Sequence, residues 1–307
     1  MRIAVIFTGG TIGSCIKDDF IGVDNKMQYV LLKNYESDNE ITFETYSPYS
    51  ILSENLSANE LNLLQEEISK RLLEDFDGII VTHGTDTLQY SSTAIEFAFG
   101  NCKIPIIFVS ADYPLEDDRS NGYPNFQCAV EFIRNKIANG VFVSYKNDDE
   151  LITNIHIPST LLEHNELNAN IYSIDKKPFA EFNGEFKINN VKLPEYNKQT
   201  GIVNYTSNSQ ILVIPNVPGQ SYSYSFEDTK AILFKPYHSA TLNTANEKFI
   251  DFCKKAIENQ IPMYILSNDS DTGYESTKIY KELNIIPLPH ETFISAYMKL
   301  WAQTSKN

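Results

Sequence analysis

The feature that most constrains this chain is a recurring order. A short apolar run is followed by an amphipathic stretch, and then by another apolar run. Residues 2–8 (RIAVIFT), 77–84 (DGIIVTHG), 105–111 (PIIFVSA) and 140–145 (GVFVSY) read as buried strands, and 41–47 (ITFETYS) alternates like a half-exposed one. Between them, 58–76, 87–100 and 124–140 carry helical periodicity, the first with Ser57 placed as an N-cap and the other two ending at glycines. Strands that are apolar on both sides need cover on both faces. The pattern therefore predicts an α/β fold: a larger N-terminal, mostly parallel sheet with helices on both faces.

The pattern weakens after about residue 150. Residues 178–208 are polar, with a hairpin signal at Asn183-Gly184. The alternation then resumes, with strands expected at 209–219, 231–239 and 262–269 and helices at 247–260 and 291–304. The expected organisation is an N-terminal domain over 1–180 holding the active site, a linker over 181–208, and a smaller C-terminal α/β domain over 209–307.

Charge and composition exclude several classes. A net charge of −15 disfavours nucleic acid and anionic membranes as partners. No stretch approaches the roughly 20 apolar residues of a membrane span, and the N-terminal run meets glycines too soon for a signal peptide, so a cytoplasmic location is expected. The four cysteines are scattered without a CxxC pair, and five histidines show no acidic cluster, so no metal or cofactor is expected.

Open parallel sheets collect ligands at the carboxyl ends of their strands. Two of those ends stand out: Thr8-Gly9-Gly10-Thr11 and Thr82-His83-Gly84-Thr85-Asp86-Thr87. If the two strands are neighbours, Thr11 and Thr85 face one pocket. Glycine turns let backbone N–H groups approach a ligand and stabilise an oxyanion. Asp86 lies where helix 87–100 begins and could accept from a substrate ammonium. Each residue also has a plainer reading: Gly9-Gly10 as a tight turn, Asp86 as a helix cap, His83 as a buried, hydrogen-bonded ring. The spacing matches neither G-x-G-x-x-G nor G-x-x-x-x-G-K-[ST].

Taken together, "TGGTIG" at 8–13 and "HGTDT" at 83–87 resemble the two signature motifs of the L-asparaginase family. Weaker similarity lies in "LSENL" (52–56), "VSADYPLEDDRSNGYPNFQCAV" (109–130) and "KPYHSATLN" (235–243). The resemblance implies hydrolysis of L-asparagine to aspartate and ammonia through an acyl-enzyme. It implies Thr11 as nucleophile, Thr85 as second hydroxyl and Asp86 as holder of the substrate amino group. Ser53 would bind the α-carboxylate, helped by backbone near Gly84 and Gly10, and Glu54 would face the amino group. It further implies a homodimer or homotetramer, with Ser239 and Glu275 as candidates for the edge that closes a neighbouring site.

The chain departs from the family pattern at two places. Residues 151–160 (LITNIHIPST) contain no lysine where the family has a relay lysine, Lys146 being nearby. Phe20 stands at the best match to a loop tyrosine. These departures keep other readings in view: an amidase for another aspartyl, glutamyl or D-amide, or a catalytically weak aspartate/asparagine binder. The family also includes an asparaginase-like component of the archaeal tRNA-dependent amidotransferase, which is expected to carry an added N-terminal domain. It fits less well with a first motif starting at residue 8 and an acidic chain.

Overall fold

The structure, a computed structural model, describes residues 1–18, 20–24, 26–35, 38–165, 167–194, 201–207, 210–267 and 273–306. The chain divides into two compact units, Met1–Ile202 and Val203–Asn307. Of the sequence expectations, linker positions 195–200 and 208, and strand ends 209 and 268–269, lie outside the described residues.

The first unit is built on an eight-stranded sheet. In chain order its strands are β1 (Arg2–Phe7), β4 (Thr42–Tyr46), β5 (Gly78–Thr82), β6 (Pro105–Val109), β7 (Gly140–Tyr145), β8 (Thr153–His156), β9 (Ala180–Phe182) and β10 (Phe186–Ile188). The spatial order is β10-β9-β8-β7-β6-β5-β1-β4. The run from β4 to β7 is parallel, and β8, β9 and β10 are antiparallel additions. A two-stranded hairpin, β2 (Ser14–Lys17) and β3 (Phe20–Val23), follows β1.

Alternating side chains of β1 divide between two cores. Ile3, Val5 and Phe7 pack with Leu31 of α1 (Val30–Lys33) and with Phe126, Ala129, Phe132 and Ile133 of α4 (Gly122–Arg134). Ala4 and Ile6 pack with Leu64 and Ile68 of α2 (Ala58–Arg71) and Leu88 and Ile95 of α3 (Leu88–Phe99). Helices thus cover both faces, as the apolar strands require. Ser57 caps α2 as expected, and Glu60 reaches back to its backbone in a capping box.

β1 lies between β4 and β5, so the chain leaves β1 on one side and crosses to the other. This is a topological switch point, and the crevice beyond its carboxyl ends is where such sheets bind ligands.

The second unit has a four-stranded parallel sheet in the order β11 (Gln210–Pro215), β12 (Thr229–Lys235), β13 (Met263–Leu266), β14 (Ile285–Leu288). Phe249, Phe252 and Cys253 of α5 (Glu247–Glu258) pack with Ile232 and Phe234 of β12, while Ala296 and Leu300 of α6 (Phe293–Ser305) pack with Leu233. This is a smaller α/β unit.

The structure differs from the sequence reading in its later strands. The large sheet continues through Ile188, so residues 181–188 form its last hairpin rather than linker. Asn183-Gly184 does turn a hairpin, Gly184 at φ 81°, but that hairpin extends the sheet edge, where polar residues are tolerated. β8 shows no apolar signature because three of its four buried residues, Thr153, Asn154 and His156, are polar. β14 is an edge strand that admits Pro287.

Candidate active site

Three loops meet at the switch point. The first begins at Thr8, whose Oγ1 donates to Thr82 O at 2.8 Å and ties the end of β1 to the end of β5. The chain then turns through Gly9 (φ 97°) and Gly10 (φ 77°), and Thr11 opens a short 3-10 turn, Thr11–Gly13. Gly10 N donates to Ile51 O at 2.9 Å and Ile51 N to Thr8 O at 3.1 Å, which brings in the loop after β4.

The glycines set how closely these loops approach. A Cβ on Gly10 would lie 2.3 Å from both Cα and N of Gly84. A Cβ on Gly84 would lie 2.3 Å from Ser53 Oγ, and one on Gly9 2.3 Å from Ile51 O. Backbone therefore packs on backbone where Thr11 and Thr85 branch off. Ser53 is buried against Gly84, and its carbonyl accepts from Thr87 Oγ1 at 2.9 Å. The structure thus brings Gly10, Ser53 and Gly84 into one contact, with Thr11, Glu54, Thr85 and Asp86 as their immediate chain neighbours. Thr11 and Thr85 are half-buried, and Glu54 and Asp86 are exposed. The N-cap of α3 is Thr87, so Asp86 is not the cap.

His83 is the ring beneath the second motif, as its plain reading holds. It is 2% exposed, and its Nδ1 lies 2.8 Å from Gly84 O. Its own backbone is pinned by Val109 O at 2.9 Å and by Ser110 Oγ at 2.7 Å. Burial lowers its pKa to about 4, against the opposing pull of the Gly84 carbonyl. His156, with Nδ1 2.8 Å from Ser173 Oγ, is lowered by burial to about 3.

These two rings make a prediction about acid. Both fold neutral, whereas in the unfolded chain they take protons below about pH 6.5. Their contribution to stability is whole above that pH and is lost as pH falls toward 4 and 3. Each adds a slope of up to about 1.4 kcal/mol per pH unit. Asp112 works in the opposite sense, since burial and the Asp148 carboxyl raise it to about 6, and its contribution is lost as pH rises through that value. Urea denaturation between pH 7 and pH 5 is expected to show a shallower loss for His156→Asn than for the parent. Equal slopes would contradict it.

The sequence reading passed over two features. His164, in the loop after β8, places Nε2 3.0 Å from Thr85 O and Nδ1 3.3 Å from Asn170 O. Asparagines also lace the ends of β6 and β7: Asn125 Oδ1 accepts from Lys146 N at 2.7 Å, Asn121 Nδ2 donates to Lys146 O at 2.7 Å, and Asn147 exchanges two bonds with Ile171. The only sequence signal for either is asparagine-rich loops beside strand ends. In the segment without lysine, Asn154 donates to Glu150 Oε2 at 2.5 Å. Phe20 is 78% exposed on the β2–β3 hairpin. Ser239 follows β12 and bonds Thr241 Oγ1 at 2.9 Å, and exposed Glu275 lies between β13 and β14.

A family model described as "Asparaginase, N-terminal" matches residues 2–191. The chain belongs to the asparaginase family. Among curated relatives, a glutamyl-tRNA(Gln) amidotransferase component of Methanosarcina mazei is 25% identical over 286 residues, covering 87% of this chain and 64% of that protein. L-asparaginase 1 of Escherichia coli K12 is 29% identical over 150 residues, 47% of this chain and 44% of that enzyme. The chain thus spans less than two thirds of the length of either relative. The solved L-asparaginase of Thermococcus kodakarensis shares the fold, with a TM-score of 0.83 at 21% identity over 100% of this chain and 94% of that one. No helix among the described residues is long and apolar enough to cross a membrane, and no group of metal-binding side chains occurs among them.

Proposed function

We propose that this asparaginase-family protein is an amidohydrolase that converts L-asparagine to L-aspartate and ammonia. The observation that carries the reading is the Gly10–Gly84 backbone contact, which sets both hydroxyl-bearing motifs at one strand-end crevice.

In the proposed reaction the Thr11 oxygen attacks the side-chain amide carbon. Thr85 helps carry the hydroxyl proton to the leaving nitrogen, the C–N bond breaks, and ammonia departs. Water then cleaves the Thr11 ester to release aspartate and restore the hydroxyl. Asp86 and Glu54 would hold the substrate ammonium and Ser53 its carboxylate. Backbone at Gly10 and Gly84 would line the oxyanion side. This acyl transfer calls on no cofactor. The protein is proposed to act in the cytoplasm as a homodimer or homotetramer, with Ser239 and Glu275 at the edge that closes a neighbouring site.

The experiment is ammonia release by the purified chain from L-asparagine, alongside L-glutamine, D-asparagine and aspartyl peptides. Release strongest from L-asparagine is expected. Preference for another amide would redirect the reading to that substrate, and aspartate binding without turnover on any amide would make the protein a binder. The amidotransferase relatives favour one further reading, in which the chain supplies ammonia to a partner. Turnover of free asparagine without any partner would count against it.

A further inference from the structure

We infer that His164 is a positioning residue for Thr85, fixing the second motif from outside both motifs. The inference rests on the amidohydrolase reading above.

Both ring nitrogens of His164 face carbonyl oxygens, which only accept, and a ring with one N–H donates at the shorter contact, from Nε2 to Thr85 O at 3.0 Å rather than from Nδ1 to Asn170 O at 3.3 Å. Thr85 O also accepts from Leu88 N, at a longer 3.3 Å, in the first turn of α3. The backbone that presents the Thr85 hydroxyl is therefore held from two directions, and the shorter bond comes from a side chain 79 residues away.

The loop that carries this side chain is itself anchored. Beside the ring, Asn170 Oδ1 accepts from Asp148 N at 3.0 Å, and Asn170 Nδ2 donates to Asp149 at 3.3 Å. Next to it, Asn147 and Ile171 exchange bonds of 2.8 and 3.0 Å. The loop bearing His164 is thus fastened to the end of β7, a core strand. His164 transmits that rigidity to Thr85. A hydroxyl assisting proton transfer needs its position kept within a fraction of an ångström. His164 thus supplies a fixed donor to the backbone carbonyl of Thr85, not to its hydroxyl.

The test uses the full chain with His164→Ala, His164→Gln and His164→Phe. A glutamine amide can still donate to Thr85 O, and phenylalanine fills space without donating. His164 is half-buried in a surface loop, so melting temperatures are expected within about 3 °C of the parent. The expected result is a kcat for asparagine about 10- to 100-fold lower in the Ala and Phe variants, with KM within about threefold, and recovery of most of kcat by Gln. An unchanged kcat in His164→Ala, or no recovery by Gln, would overturn the inference while leaving the amidohydrolase reading intact. If the parent hydrolyses no amide, that reading fails separately, and hydrogen exchange at Leu88 N–H decides the inference. Exchange at least 10-fold faster in His164→Ala than in the parent and in His164→Gln supports it, and equal rates overturn it.

Discussion

Thr11→Ala is expected to lower ammonia release from asparagine by about four orders of magnitude or more, with the protein still folded. The size follows from the role. Without a hydroxyl at residue 11 no acyl-enzyme forms there, and only the binding and oxyanion contributions remain. The selectivity for activity over stability follows from position. Thr11 opens the turn Thr11–Gly13 and is half-buried, outside both cores of its unit. The turn itself is held by others: Gly13 N donates to Gly10 O at 3.0 Å and Ser14 Oγ to the same oxygen at 2.8 Å. Thr11→Ser keeps the hydroxyl and is expected to retain measurable turnover. Thr85→Ala removes the proposed proton helper rather than the proposed nucleophile, so a smaller loss of about 10²–10⁴ is expected. Steady-state ammonia release beside melting curves checks all three. More than about 1% of parental turnover in Thr11→Ala would place the nucleophile elsewhere.

What could be read in advance follows how directly a residue's environment writes itself into the sequence. β1, β5, β6 and β7 are apolar on both sides because helices cover both faces, so continuous apolar runs located them to within a residue or two at most ends. β8 breaks that rule. Its Asn154 and His156 are buried through hydrogen bonds to Glu150 and Ser173, and apolar periodicity does not report polar residues satisfied by side-chain bonds. The site divides in the same way. Gly9-Gly10 and Gly84 were legible because only glycine fits the turns and the contact they make. Ser53 became legible only through the family resemblance, since its position depends on β4 pairing beside β1. His164 was not legible, because a single histidine in a polar loop carries no pattern that names Thr85 as its partner.

Gly10→Ala is expected to be among the most damaging single-methyl changes in the first unit, costing about 3–5 kcal/mol of stability and at least about 100-fold in activity. Two costs combine. Gly10 sits at φ 77° and ψ 179°, a conformation open essentially only to glycine, where an L side chain costs about 1–3 kcal/mol. Its Cβ would also lie 2.3 Å from Gly84 Cα and N and 2.9 Å from His83 C, all backbone atoms that cannot rotate aside. Relief requires moving the end of β5, which Ser110 Oγ and Val109 O hold through His83. Any such shift moves Thr85 with the end of β5, so stability and activity are expected to fall together. Gly84→Ala differs in kind. Its φ is not positive, and its Cβ would meet the Ser53 side chain, Oγ at 2.3 Å and Cβ at 2.6 Å. A milder loss of about 1–3 kcal/mol is expected there, with the kinetic effect falling mainly on KM as Ser53 is displaced. Gly22→Ala is the control, because nothing lies within 4 Å of its Cβ and the change is expected to stay within about 0.5 kcal/mol. Denaturant midpoints and kinetics of the three variants measure this ordering. A Gly10→Ala protein as stable as Gly22→Ala would mean that the two motifs do not touch, and the shared crevice on which the proposed chemistry depends would have to be abandoned.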